Sequence, residues 1–188
     1  MQGTMMWTVI AVLVLTAAGV VYGYNRLVFN RARVAAAWSD IDVQLKRRSS
    51  LIPQLVDCVK RFMAYESSTL TALTEQRSQA QRVEAGGAPE RGAAESQVSA
   101  TLKQVLARAE AYPDLKADAV FLDLQRSLSD VEEHIQMARR YYNGAVRELN
   151  VLVESVPSNV IAKAFGFSGA AYFSLDDASQ AQSPKMEF

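Results

Sequence analysis

The stretch that decides the fold is "FLDLQRSLSDVEEHIQMARRYYNGAVRELNVL", residues 121–152. Its apolar residues recur at alternating steps of three and four, and they are Phe121, Leu124, Leu128, Val131, Ile135, Ala138, Tyr142, Ala145, Leu149 and Leu152. This spacing gives a long helix a single apolar seam and is typical of helices that pack at a shallow angle. Asp118 is suited to cap the start of the helix, and Pro157 to end it.

Three- and four-residue spacing elsewhere predicts three more long helices. The first ends near Arg48, the second begins at Leu51 and breaks at the glycine-rich residues 82–90, and the third runs to Tyr112. A short closing helix is predicted within residues 157–167, with Ser158 or Asn159 as its cap. No run of alternating β-branched residues indicates a sheet. The sequence therefore predicts an all-α protein built around an antiparallel four-helix bundle.

Pro53 allows two interpretations of the connection between the first two helices. It either lies in the first turn of a new helix capped by Ser50, or it kinks one continuous helix. Because a proline in a first turn removes no helical hydrogen bond, the turn is the favoured interpretation.

The N-terminal part of the chain has no charged side chain from Gly3 to Tyr24. About 20 apolar residues are enough to cross a hydrocarbon core of about 30 Å. The pattern predicts a short extracytoplasmic segment at residues 1–4 and a transmembrane helix at residues 5–24. The anchor residues include Met5, Trp7, Ile10, Leu13, Leu15, Val20, Tyr22 and Tyr24.

The charges that follow this helix predict its direction. Arg26, Arg31 and Arg33 come before the first acid, Asp40, and basic residues stay on the cytoplasmic side. The N-terminus is therefore expected outside, with a cytoplasmic bundle at residues 25–167 and a mostly disordered tail at residues 168–188. The alternative is a cleaved signal peptide, with small residues at 16–19. The anchor is favoured over it, because no basic residue precedes the apolar run.

Composition limits the classes of function. The 188 residues carry 20 basic and 20 acidic side chains, so the chain lacks the basic excess that nucleic-acid binding needs. The single cysteine, Cys58, excludes an internal disulfide and is expected to be a small buried residue of a helix rather than a reactive thiol.

A catalytic or metal site is not predicted. His134 is the only histidine, and Val131 stands three residues before it, so the Glu-x-x-His motif of bundle metal sites does not occur. His134 is expected on a solvated helix face. The prediction is therefore no catalytic, metal or cofactor site, and no enzyme.

Polar residues beside the apolar seams leave two interpretations open. Glu66 and Arg77 fall on the second helix's own seam, and a stripe on the last long helix holds Glu132, Gln136, Arg139, Asn143 and Asn150. These residues form either a buried network that fixes helix register, which is favoured, or a groove for a ligand or partner helix. The candidate structural or interaction residues are Trp38, Asp42, Arg48, Pro53, Glu66, Arg77, Glu132, Arg139, Tyr142 and Asn143.

Several motifs resemble the LemA family of bacterial membrane-anchored helical proteins. They are "AWSDIDVQLKRRSSLIPQLV" (37–56), "AEAYPDLKAD" (109–118), residues 121–150, "VPSNVIAKAFGFSGAAYF" (156–173) and the closing "PKMEF". The resemblance implies a transmembrane helix followed by a four-helix bundle on the cytoplasmic side of the inner membrane. It carries over no established enzymatic activity, cofactor or catalytic residue.

Three functions follow as hypotheses. The leading one is a single-pass membrane protein whose bundle is an interaction or scaffolding module for unidentified protein partners. The alternatives are an enzyme or enzyme regulator that binds a ligand in a polar groove, and a membrane-bound homo-oligomer. Aromatic residues near the C-terminus are expected to serve in docking, and they are Phe165, Phe167, Tyr172, Phe173 and Phe188.

Overall fold

The computed structural model describes residues 2–63 and 67–174. The helices are α1 (Gln2–Lys60), α2 (Ser67–Arg82), α3 (Ala88–Ala109), α4 (Pro113–Ala117), α5 (Ala119–Glu154) and α6 (Ser158–Ala164). No strand occurs within these residues, so the all-α class is confirmed, as is the long apolar helix at the N-terminus. The antiparallel four-helix arrangement stays a prediction.

The chain divides into two compact units. The first unit comprises Met1–Ser39 and Tyr141–Ala170, and the second comprises Asp40–Arg140 and Ala171–Phe188. Helices α1 and α5 contribute a segment to each unit, whereas α2, α3 and α4 belong to the second unit and α6 to the first.

The second unit has the larger apolar core. Its buried side chains come from all five helices of the unit, and they include Ile52, Leu55, Val59, Leu73, Val98, Leu102, Leu115, Phe121 and Leu128. In the first unit, Leu27 of α1, Leu149 of α5 and Ala162 of α6 form the buried centre. The rings of Trp38 and Tyr142 extend its packing, with centroids 5.3 Å apart.

The predicted seam of α5 is the seam that the structure buries. Eight of its ten residues are buried, and Ala138 and Leu152 are partly buried. The predicted cap is also present, because the backbone N–H of Phe121 donates to the Asp118 carboxylate at 2.9 Å. Helix α5 ends at Glu154, shortly before Pro157.

The predicted turn at Pro53 is wrong, and with it the helix boundaries at Arg48 and Leu51. Helix α1 continues through Pro53 to Lys60. A proline inside a helix has no N–H for the carbonyl four residues earlier, which here belongs to Ser49. Arg77 of α2 replaces that donor, because its Nε donates to the Ser49 carbonyl oxygen at 2.7 Å. A contact from another helix therefore allows α1 to pass through the proline.

Two smaller predictions are also corrected. Neither Ser158 nor Asn159 caps α6; Pro157 occupies the cap position, and the Ser158 hydroxyl donates to the Ser155 carbonyl at 2.9 Å. Pro113 does more than stop the preceding helix, since it begins the five-residue α4.

The chain after α6 has no helix or strand as far as residue 174, yet side chains hold it at defined points. In the first unit, the amide of Asn150 donates to the Ala170 carbonyl at 3.0 Å and accepts from its N–H at 2.8 Å. In the second unit, Phe173 is fully buried and the Ser174 backbone lies against Gly92, where a Cβ would collide with it. The rest of the predicted tail lies outside the described residues.

Candidate functional site

Arg48 is the centre of a buried polar cluster in the second unit. Its side chain has no exposed surface, although a charged group in the interior is costly unless it is paired. Its NH2 group donates to the Glu95 carboxylate at 2.5 Å and to the Glu95 carbonyl at 3.2 Å. Its NH1 group donates to the Glu132 carboxylate at 2.8 Å and to the Ser99 hydroxyl. Arg48 thus joins α1 to both α3 and α5.

Asp42 forms a second cluster six residues earlier on α1. Its carboxylate accepts from Arg91 at 2.5 Å and from Lys46 at 2.9 Å, and Lys46 also reaches Glu84 at 2.8 Å. Partial burial opposes ionisation of Asp42, but hydrogen bonds from Lys46 and Arg91 and the attraction of their charges outweigh it, so its pKa is lowered. The carboxylate therefore stays charged and paired at neutral pH.

Helix geometry explains why these side chains meet. Arg91, Glu95 and Ser99 follow one another at steps of four on α3, so they lie on one face of that helix. The Ser99 hydroxyl also donates to the Glu132 carboxylate at 3.1 Å, which ties α3 to α5. Asp42, Arg48 and Glu132 were predicted from the sequence, whereas their partners on α3 were not. The four-residue spacing in "RGAAESQVS" (91–99) was the signal that could have identified them.

A cavity of about 230 Å³ adjoins the two clusters. Arg48, Arg77, Arg91 and Ser49 are among the residues that line it. The Nε of Arg48 has no hydrogen-bond partner in the part of the chain that the structure describes.

The charges of the clusters and the cavity lining balance. The cations are Lys46, Arg48, Arg77 and Arg91, and the carboxylates are Asp42, Glu84, Glu95 and Glu132, four of each. The side chains of this region as a whole therefore carry no net charge.

Cys58 and His134 have the surroundings that the sequence predicted. Cys58 is buried on α1, with its sulfur 3.8 Å from the Asp118 carboxylate. Burial, together with the charge of that carboxylate, raises the pKa of the thiol. Its thiolate, the nucleophilic form, is therefore disfavoured. His134 is half exposed on α5, and its ring lies 3.5 Å from the Asp130 carboxylate.

The first unit contains a more exposed set of polar and aromatic contacts. Arg33 of α1 pairs with Glu148 of α5 at 2.5 Å. The Arg31 guanidinium lies over the ring of Phe167, 5.0 Å from its centroid. Beside them is a surface cleft of about 610 Å³, whose lining includes Tyr22, Phe29, Arg26 and Arg147.

The beginning of α1 is long enough and apolar enough to cross a membrane. Its most apolar 18 residues have a mean hydropathy of 2.1, and none of that window is buried against other parts of the protein. Trp7, Leu13 and Leu15 are 68%, 64% and 72% exposed. Such a length and composition define a candidate span.

Comparison with known proteins identifies the family. A sequence profile described as LemA family matches residues 37–188. The chain belongs to the LemA family.

Individual proteins are also similar to this chain. Protein LemA of Metamycoplasma hominis is 24% identical, in a match covering 81% of this chain and 69% of that protein. Magnetosome protein MamQ 2 of Paramagnetospirillum magneticum and magnetosome protein MamQ of Magnetospirillum gryphiswaldense are each 26% identical over 80% of this chain. The match spans just under two thirds of the MamQ proteins, at 64% of their length. The LemA family profile begins at residue 37, after the apolar start of α1. The case for a membrane span therefore depends on the residues of that segment and not on the family match.

The structure brings some of the predicted site residues of this LemA-family chain together. Trp38 meets Tyr142, and Phe165 and Phe167 both pack against Tyr24, with centroids 5.0 and 5.6 Å apart.

Other predicted residues differ in exposure, and two of them fall outside the part of the chain that the structure describes. Arg139 and Asn143 are partly buried on α5, whereas Pro53 is exposed on α1 and Tyr172 is 45% exposed. Two further predicted residues, Glu66 and Phe188, lie outside the described residues.

Proposed function

We propose that this LemA-family protein is a single-pass protein of a bacterial inner membrane, anchored by residues 5–24, whose cytoplasmic helical region is an interaction module. The observation that carries the proposal is the exposed apolar start of α1, followed by Arg26, Arg31 and Arg33 before any acid. Apolar side chains exposed at this density are stable in lipid, and the basic residues favour the cytoplasmic side.

The buried clusters support an interaction module built on a fixed helical frame. Arg48, Glu95 and Glu132 form charged hydrogen bonds among α1, α3 and α5, and sliding one helix past another would leave a charge without its partner. Because these pairs use their donors and acceptors inside the unit, they favour a role in helix register. The outer faces of the helices then remain available to partners. We also propose that these helices form an antiparallel four-helix bundle held in register by the buried pairs.

Cysteine labelling in intact cells tests the topology. The native Cys58 is buried and is first replaced by Cys58→Ala; single cysteines are then introduced by Gly3→Cys, before the proposed span, and by Gln104→Cys. A membrane-impermeant maleimide is expected to label the Gly3 variant in intact cells, and the Gln104 variant only after the membrane is opened. Labelling of the Gln104 variant in intact cells would reverse the proposed direction.

Site-specific photocrosslinking tests the interaction module. Val43, Val120 and Met137 are apolar and 56%, 54% and 41% exposed in the second unit, so a photoreactive amino acid at each is suited to capture a partner. Exposed Gln104 is the matched polar control. A discrete adduct from the apolar positions but not from Gln104 is expected. An adduct of twice the chain's mass would support the homo-oligomer instead, and no adduct at any apolar position would remove the support for a module.

The cavity favours a second candidate, a small ligand bound next to Arg77. The Nε of Arg77 is engaged by the Ser49 carbonyl, and no carboxylate pairs with the guanidinium within the described residues. Such a group is suited to bind an oxyanion.

Thermal unfolding of the detergent-solubilised full chain with phosphate, ATP or magnesium checks this candidate. A ligand that binds the folded state raises Tm by mass action, and Arg77→Gln should abolish the increase. If Tm is unchanged with every ligand, the cavity has no such role.

A further inference from the structure

Helix α6 packs against α1 where the candidate span ends. A Cβ added at Gly23 would lie 2.5 Å from Cδ1 of Ile161, so glycine at this position permits the close approach of the two helices. One residue later, Tyr24 contacts Phe165 and Phe167 edge to face. These contacts place α6 and the residues after it beside residues 23 and 24, where the predicted span ends.

This region exposes several large apolar side chains. Val156 is 82% exposed, Val160 is 66% exposed and Phe165 is 55% exposed, and Phe29 on α1 is 62% exposed. Val160 and Ala164 are four residues apart on α6 and therefore share a face. Exposed large apolar side chains on neighbouring elements are suited to an interaction surface.

The same elements also expose cations. Arg26 and Arg31 on α1, Arg147 on α5 and Lys163 on α6 are exposed. Glu148 is the carboxylate that pairs with Arg33, and Glu154 is also exposed at the end of α5. The segments 22–33 and 147–165 carry five basic and two acidic residues, so together they have a net positive charge.

We propose that α6 and its flanks, residues 156–165, form a second membrane contact that lies in the headgroup layer of the bilayer crossed by α1. The apolar side chains enter the boundary between headgroups and acyl chains, as in interfacial helices. The cations beside them face anionic lipid headgroups, which attract exposed Arg and Lys. The inference rests on the proposed membrane span, because that span sets the depth of α6.

The cleft lined by Arg26 and Arg147 supports a preference for anionic lipid. Tyr22 and Phe29 also line it, so aromatic and basic groups meet in one concave surface near the end of the span. Aromatic residues favour the interface, and the two arginines have no ion pair with a carboxylate among the described residues. A lipid with a phosphate-based negative headgroup could pair with the arginines while its chains pack beside the aromatic rings.

Spin-label depth measurement on the full chain in lipid vesicles tests the proposal. In the Cys58→Ala background, labels are attached after Ile10→Cys, Val160→Cys or Gln104→Cys, and their accessibility to oxygen and to a water-soluble nickel chelate is compared. Vesicles of phosphatidylcholine alone and with phosphatidylglycerol are used. The Ile10 label is expected in the acyl region, the Gln104 label in water and the Val160 label between them, with several-fold lower nickel accessibility than Gln104.

The three labels distinguish the failure of this inference from the failure of the anchor. If the Val160 label matches Gln104 while Ile10 is in the acyl region, α6 does not contact the membrane and the anchor stands. If Ile10 is itself accessible to nickel, the proposed span fails. Dipolar broadening at Val160 that disappears on dilution with unlabelled protein would show a second copy on this face, which would also overturn the membrane contact.

Matched charge variants test the lipid preference. Arg26→Gln combined with Lys163→Gln is expected to remove the increase in depth of the Val160 label that phosphatidylglycerol causes, while Arg126→Gln, at a 76% exposed position of the second unit, should leave it unchanged. Equal depth of the Val160 label in both lipid mixtures before any charge is removed would contradict the anionic preference.

Discussion

Two arginines of α1 pair with glutamates of α5, and the two pairs differ in their exposure to water. Arg33 and Glu148 in the first unit are 2.5 Å apart, with side chains 30% and 51% exposed. Arg48 and Glu132 in the second unit are 2.8 Å apart, and the Arg48 side chain has no exposed surface. The shorter pair is the one that solvent screens, so the distance alone does not tell which pair contributes more to stability. Burial decides how much the loss of one partner costs.

The largest expected effect is the loss of the buried arginine. Arg48→Met leaves the carboxylates of Glu95 and Glu132 without their cation, and breaking a buried pair typically costs about 3–5 kcal/mol of unfolding free energy. Urea unfolding of the detergent-solubilised chain measures this loss, and Arg33→Met serves as the matched control. Similar losses in both variants would contradict the role of burial.

Replacing the whole buried cluster sharpens the same comparison. Arg48→Met combined with Glu95→Leu and Glu132→Leu removes every charge at once, and such replacements are often neutral or stabilising. The triple variant is therefore expected to recover most of the stability that Arg48→Met loses. If it recovers stability but loses partner crosslinks, the charges act in specificity; if it stays as unstable as the single variant, packing rather than charge explains the loss.

An intermediate effect is expected at the proline of α1, where Arg77 satisfies a carbonyl instead of a carboxylate. Arg77→Met leaves the part-buried Ser49 carbonyl without its side-chain donor, so we expect a loss at the lower end of the about 1–3 kcal/mol that an unsatisfied buried group costs. Pro53→Ala returns an N–H to that carbonyl, so the cost of Arg77→Met should fall in this background. A double-mutant cycle of unfolding free energies measures the coupling. Additive effects would show that Arg77 does not compensate for Pro53.

A pH-dependent effect is expected from the partly exposed Asp42 cluster. Because the pairing with Lys46 and Arg91 lowers the folded-state pKa of Asp42, its contribution to stability is present above the unfolded-state value of about 3.9. That contribution is lost as pH falls through the lower folded-state pKa. Unfolding from pH 7 to pH 2 should show a smaller acid-dependent loss for Asp42→Asn than for the unaltered chain. Identical pH profiles would place the acid sensitivity elsewhere.

The smallest effect is expected at the exposed pair of the comparison. Glu148→Gln should leave Tm within the spread of replicate measurements at physiological salt, because solvent and ions screen the pair. Thermal unfolding at low and high salt checks this expectation. A decrease in Tm that persists in high salt would show that Arg33 and Glu148 stabilise the first unit as a buried pair would.

Local patterns could be predicted from the sequence, whereas contacts between distant residues could not. The seam of α5 was predictable because its spacing is local and uninterrupted. The path of α1 through Pro53 was not, since the residue that makes it acceptable, Arg77, lies 28 residues beyond Ser49. Arg48 and Glu132 were identified as polar residues near a seam, but Glu95 lies 47 residues from Arg48 and follows a glycine-rich break. Pairs at such separation depend on how helices pack rather than on any local pattern.

The proline of α1 also has a consequence for the order of assembly. As the chain emerges from the ribosome, Ser49 is synthesised well before Arg77, so its carbonyl is bonded to water until α2 arrives. Leu55 and Val59 in the last turns of α1 and Leu73 of α2 belong to the same buried core. We therefore expect a nascent chain halted between the two helices to lack this part of the core. The Ser49 carbonyl gains its protein donor only after α2 has been synthesised.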